Sequence, residues 1–147
     1  MPLLEKQLII KKSGIPEAGN GLFTKIFIPK GTRIIEYKGR ITSWKNVLNG
    51  KTFNAYVYYV NRNHVIDARR RKKSLGRYAN DASGLTKING MVNNTKYVVE
   101  NNRVFLEAKR DIHPEEEILV SYGKEYWKVI EDNQRIAEEE AKQKVIQ

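Results

Sequence analysis

The chain of 147 residues contains no cysteine and only two histidines. Without a thiol, disulfides, cysteine-ligated zinc and thiol nucleophiles are excluded together. A histidine-based triad would have to use His64 or His113, and neither lies near a serine motif of that kind. No apolar run approaches the length of a membrane-crossing helix, so no membrane role is expected. The first residues, Met1-Pro2-Leu3-Leu4-Glu5-Lys6, lack the apolar stretch of a secretory signal. The expected location is therefore cytoplasmic, or nuclear in a eukaryote, and not secreted. A GxxxxGK[ST] phosphate loop is missing too. The bare G-x-G at Gly19-Asn20-Gly21 has no strand–helix–strand unit around it, which counts against a doubly wound nucleotide-binding fold.

What the chain has in plenty is positive charge: Lys+Arg 27 against Asp+Glu 17, a net +10. Such a field draws in anionic partners and opposes a highly basic peptide. The charge is densest at Arg69-Arg70-Arg71-Lys72-Lys73, where an anionic partner or nucleic acid could dock. The aromatic run Tyr56 to Tyr59 could then supply stacking surfaces. A solvated loop is the plainer account of the same basic run. Hydrophobic residues at 40% and charged residues at 30% are ordinary for one globular domain with a single core.

Short apolar runs broken by turn residues dominate up to residue 123. Gln7 to Lys11 and Arg33 to Tyr37 read as strands. Asn61-Arg62-Asn63 turns the aromatic run from Thr52 to Val60 into His64 to Ala68, and Asn101-Asn102 turns Tyr97 to Glu100 into Arg103 to Ala108. The polar link around Trp44 suits a short helix. From Lys124 the spacing becomes helical, with Trp127, Ile130, Gln134, Ala137, Ala141 and Val145 on one weakly apolar stripe. A mainly β domain follows, over residues 1–130 with its core at about 8–123. Residues 124–147 form a C-terminal helix on it, frayed beyond about residue 136.

Between these strands lies Leu75-Gly76-Arg77-Tyr78-Ala79-Asn80-Asp81-Ala82-Ser83-Gly84, which has no hydrophobic period and reads as an irregular loop. Such loops bring backbone and short polar side chains to a ligand. Gly19-Asn20-Gly21-Leu22 and Tyr37-Lys38-Gly39 precede it, and Glu117-Ile118-Leu119-Val120-Ser121-Tyr122-Gly123 follows. At Gly19 and Gly21 the main chain could approach a ligand with no Cβ in the way. Pro29 and Pro114 each stand eight positions before a tyrosine, Tyr37 and Tyr122. This echo would set two rings on opposite walls of one pocket.

The ordered set resembles the signature of SET-domain protein lysine methyltransferases, in a minimal, cysteine-free form. The resemblance implies several small curved β-sheets, a pseudoknot that brings the loop and the 117–123 segment together, and a C-terminal helix. It implies methyl transfer from S-adenosylmethionine to the side-chain amine of a lysine in a protein substrate. By position, Tyr122 takes the place of the catalytic tyrosine and Tyr37 lines the lysine channel. Gly19, Asn20, Gly21, Leu22, Arg77, Tyr78, Ala79, Asn80, Asp81 and Tyr122 would surround the cofactor, with Tyr126 or Trp127 over the adenine. Asp81 stands where the family pattern has histidine. An inactive SET-like binding module is thus a rival reading, and a basic nucleic-acid-binding β-domain is a third.

Overall fold

The computed structural model describes residues 3–49, 56–83, 90–123, 132, 135, 136 and 138–143. Its strands are β1 (Leu8–Lys12), β2 (Asn20–Thr24), β3 (Arg33–Tyr37), β4 (Arg40–Thr42), β5 (Val57–Asn61), β6 (His64–Asp67), β7 (Thr95–Glu100), β8 (Arg103–Ala108) and β9 (Glu117–Ile118). One short helix, α1 (Trp44–Asn49), follows β4, and a 3-10 turn spans Leu75–Tyr78. The strands form three sheets of three, in the orders β1-β2-β9, β3-β8-β7 and β4-β6-β5. Within them every strand pair is antiparallel. This is the mainly β architecture of several small sheets that the sequence led us to expect.

Local turn chemistry makes two of the pairs. Asn101 and Asn102 both take positive φ, 51° and 63°. A two-residue hairpin loop with the twist of its strands requires such angles, and asparagine tolerates them. That turn joins β7 to β8 from Glu100↔Arg103 to Thr95↔Ala108. The β5–β6 hairpin closes in the same region as expected, at Asn61↔His64. Residues 132, 135, 136 and 138–143 are helical, in keeping with the periodicity beyond Lys124. Among the described residues no helix is long and apolar enough to cross a membrane.

The main core draws on all parts of the chain: Leu22, Ile28, Ile34, Leu106, Ile112, Ile118 and Val120 are each fully buried within it. A smaller cluster of Tyr37, Ile66, Ala68 and Val104 fills the space between the β3 and β6 sheets. This second cluster sets one wall of the candidate site.

Beyond β9 the chain runs between two other segments. Asn80 pairs with Leu119 in a parallel bridge, and the Val120 amide donates to the Asn80 carbonyl at 2.8 Å. On the other side the amides of Asn94 and Thr95 both donate to the Leu119 carbonyl, at 3.0 Å each. The Asn94 side chain, 1% exposed, donates to the Glu117 carbonyl and accepts from the Leu119 amide. A buried amide satisfied this fully holds the segment in one register.

Candidate active site

The loop from Leu75 onward begins by clamping the basic segment. Arg77 donates from Nη1 to the carbonyls of Ala68 (2.9 Å) and Arg69 (2.7 Å), and its guanidinium lies 4.1 Å over the Tyr56 ring. Tyr78 donates its hydroxyl to the Lys72 carbonyl at 2.8 Å. Arg69 to Lys73 are exposed at every position, so these bonds hold the backbone while the charges face solvent.

The next residues meet the 119–122 segment. Tyr122 is tied at both ends. Its amide donates to Asp81 Oδ2 at 2.8 Å, and its hydroxyl donates to the Ala79 carbonyl at 2.6 Å. With that proton committed, the oxygen meets any further group as an acceptor. Tyr37, 4% exposed, likewise donates its hydroxyl to the Tyr56 carbonyl. Burial foremost, then Tyr122 and Asp67, push the Tyr37 phenol well above the ordinary tyrosine range, with Arg77 opposing. It therefore stays protonated at physiological pH. Rings of Tyr58 and Tyr97 complete the wall, their centroids 6.3 and 6.1 Å from that of Tyr37 and 4.7 Å from each other.

The G-x-G meets the loop at Asn80. The Asn80 side chain donates to the Asn20 carbonyl at 3.0 Å, which joins the start of β2 to the loop. Glu117, 8% exposed, accepts from Ser13 Oγ at 2.6 Å, the Gly14 amide at 2.9 Å and Asn80 Nδ2 at 3.5 Å. A Cβ on Gly21 would sit 2.3 Å from Glu117 Oε2. Gly21 thus makes room for a carboxylate of the protein itself, a different reason from the ligand approach expected from sequence. Gly39, the glycine of Tyr37-Lys38-Gly39, is constrained similarly, since a Cβ there would meet the Asp67 carbonyl oxygen at 2.5 Å. Gly19 takes a φ of +73° with open space around its missing side chain.

Several of the residues singled out from sequence are drawn together. Asn20, Ala79, Asn80, Asp81 and Tyr122 are linked by direct hydrogen bonds or chain neighbourhood, and Tyr37 stands within electrostatic reach of Tyr122. Leu22 is fully buried and Ala79 2% exposed, so each offers a ligand little beyond its backbone. Arg77 Nη1 and the Tyr78 hydroxyl are spent on residues 68–72, while Arg77 Nε is buried with no hydrogen-bond partner among the described residues. Tyr126 and Trp127 lie outside the described residues. Sequence reasoning placed Glu117 in the closing motif without a role, and it missed Asn94 and the part of Tyr58 and Tyr97 as ring partners of Tyr37. An apolar strand opening on a glutamate, as at Glu117-Ile118, was the one signal available for Glu117 as a buried hub.

Chemically, the site presents neutral oxygen acceptors beside aromatic walls. Carbonyls and proton-committed hydroxyls suit a cationic or polarised methyl group, which they can hold through C–H···O contacts. Residues with that chemistry fit a sulfonium cofactor.

The sequence model of the SET-domain family matches residues 19–123, most of the chain. Among solved structures, the methyltransferase domain of human PR domain-containing protein 2 is similar to it, with a TM-score of 0.61 and 25% identity. That match covers 84% of this chain and 79% of the other. No curated protein matches it in sequence. Family and neighbour together support methyl transfer as the general chemistry.

Proposed function

From the premise that the chain belongs to the SET-domain family, we propose that it transfers a methyl group from S-adenosylmethionine to the side-chain amine of a lysine in a protein substrate. The observation that carries this reading is Tyr122, held at both ends by the 79–81 segment and within electrostatic reach of Tyr37. When bound, the cofactor supplies an activated methyl group on a sulfonium. Asn20, Asn80 and the open backbone at Gly19 would hold it.

The amine must arrive uncharged, although free lysine has a pKa of about 10.4. Walls formed by Tyr37, Tyr58 and Tyr97 desolvate its stem and nitrogen, which disfavours the ammonium form. Tyr122 then aligns the nitrogen through its hydroxyl oxygen. Tyr37, kept protonated, acts as a wall and an acceptor and not as a base. An anionic partner docking through the exposed Arg69–Lys73 segment belongs to the same proposal. Tyr58, packed on Tyr97, is a poorer stacking platform for nucleic acid than the sequence suggested.

Calorimetry with S-adenosylmethionine, followed by a labelled-methyl assay on a cell lysate, tests the reading. One-site binding and labelled protein are expected. Tyr122→Phe keeps the ring and loses the aligning hydroxyl, so single-turnover transfer should fall by about 10²–10³. Cofactor affinity should change by no more than about tenfold. Binding without any transfer by the wild type would favour the inactive binding module. Normal turnover by Tyr122→Phe would remove Tyr122 from the mechanism.

A further inference from the structure

We infer that Asp81 is a positioning residue, whose carboxylate places Tyr122 for methyl transfer and does not itself contact the cofactor. This deepens the proposed function and rests on that reading. It differs from the role the family position implies, where the residue would lie against the cofactor.

The hydrogen bonds around the carboxylate leave it little else to do. Asp81 is 5% exposed. Its Oδ1 accepts from the Ser83 amide (2.8 Å), Ser83 Oγ (2.6 Å) and Asn93 Nδ2 (2.9 Å). Its Oδ2 accepts from the Tyr122 amide at 2.8 Å. An ionised carboxylate has about four lone-pair sites, two on each oxygen; three donors share Oδ1 and one takes Oδ2, whose other site is screened by the burial of the residue.

Backbone geometry explains why an acceptor is needed there. Leu119 and Asn80 form a parallel bridge, and the Val120 amide donates to the Asn80 carbonyl. In a parallel ladder the next amide on that edge comes two residues later, at Tyr122, and would seek the carbonyl of Ala82. The chain turns at 81–83 instead, and the Asp81 side chain supplies the missing acceptor. Asp81 is fixed in turn by the loop it closes, because Asn93 also accepts from the Ala82 amide at 2.8 Å. The Tyr122 backbone is thereby pinned two residues beyond the end of the ladder. Its hydroxyl then reaches the Ala79 carbonyl at 2.6 Å. A side chain able only to accept is required. Asparagine that kept its oxygen toward Ser83 and Asn93 would turn an amide donor against the Tyr122 N–H.

The test uses the whole chain labelled with ¹⁵N-tyrosine, the Tyr122 amide being assigned by its loss in Tyr122→Phe. In the wild type that amide should be protected from exchange. In Asp81→Asn it should move upfield and exchange faster, while the other tyrosine amides hold their positions. Ser83→Ala alters one exposed donor, so folding is not at issue, and it should shift the same resonance less in the same direction. With cofactor, Asp81→Asn should keep affinity within about threefold and lower single-turnover transfer by about 10–100-fold, the scale of a small misplacement. In a Tyr122→Phe background the same change should cost less than about threefold, because the group it positions is gone. A Tyr122 amide unmoved in both variants would overturn the inference. So would a loss of cofactor affinity of about tenfold or more in Asp81→Asn, or an undiminished cost in the Tyr122→Phe background. A wild type that binds no cofactor would defeat the proposed function, and the amide resonance alone would then decide whether Asp81 positions Tyr122.

Discussion

Removing the Glu117 carboxylate should loosen the domain where β9 meets the turn that follows β1. The carboxylate takes two short bonds, from Ser13 Oγ at 2.6 Å and the Gly14 amide at 2.9 Å. Bonds to a charged group are worth about 1.5–3 kcal/mol each. The Asn80 contact at 3.5 Å is too long to add much. Glu117→Ala strips both short bonds and strands the Gly14 N–H, but water entering the gap recovers part of the loss. A net cost of about 2–4 kcal/mol follows. For a domain of this size that corresponds to a fall in Tm of roughly 6–15 °C. Glu117→Gln keeps an oxygen for Gly14, and the Ser13 hydroxyl can turn to accept from the new amide, so about 1 kcal/mol is expected. Urea denaturation with an unchanged m-value measures both. Gly21 provides an internal control. Gly21→Ala should destabilise the wild type, because its Cβ would lie 2.3 Å from Glu117 Oε2. In the Glu117→Ala background most of that penalty should disappear, the coupling expected of two groups in contact. Equal costs for Ala and Gln, or strict additivity with Gly21→Ala, would refute this account of the hub.

Gly39→Ala should cost about 3 kcal/mol by the same denaturation assay, at the upper end for overpacking. Its Cβ would meet three backbone atoms of Asp67 and Ala68 within 2.7 Å, which no rotamer change can relieve. Tyr37 governs an alkaline effect. Unfolded tyrosine ionises near pH 10, while Tyr37 in the fold is raised well above that. Above pH about 10 the unfolded state therefore releases a proton that the folded state keeps, and stability falls by up to about 1.4 kcal/mol per pH unit for this group. Its contribution is intact below that pH. Tyr37→Phe should flatten the decline in unfolding free energy between about pH 10 and 11.5 by close to one proton's worth, and an unchanged slope would contradict the buried placement of that phenol.

Much of the fold could be read directly from short stretches of sequence. Asn101-Asn102 and Asn61 to Asn63 carry hairpin chemistry that acts within a few residues, and both hairpins formed where those turns stand. The strand Arg33–Tyr37 was recognisable from its own β-branched and aromatic content. The order of four motifs along the chain was enough to suggest the family. None of this needed knowledge of what packs on what. The rest depended on contacts between distant residues. Glu117 lies 103 positions from Gly14, and Tyr122 lies 41 from Asp81. Gly21 reads alike in sequence whether it makes room for a ligand or for a carboxylate of the same chain. Likewise Tyr58 reads as a free stacking surface until Tyr37 and Tyr97 are found beside it. Periodicity tells which side chains share a face, but only closure of the three sheets on one another decides which neighbour covers it. Hydrogen-bond capacity is settled at the same step, because a carboxylate such as Asp81 is open to a ligand or fully engaged according to which donors the folded chain brings to it.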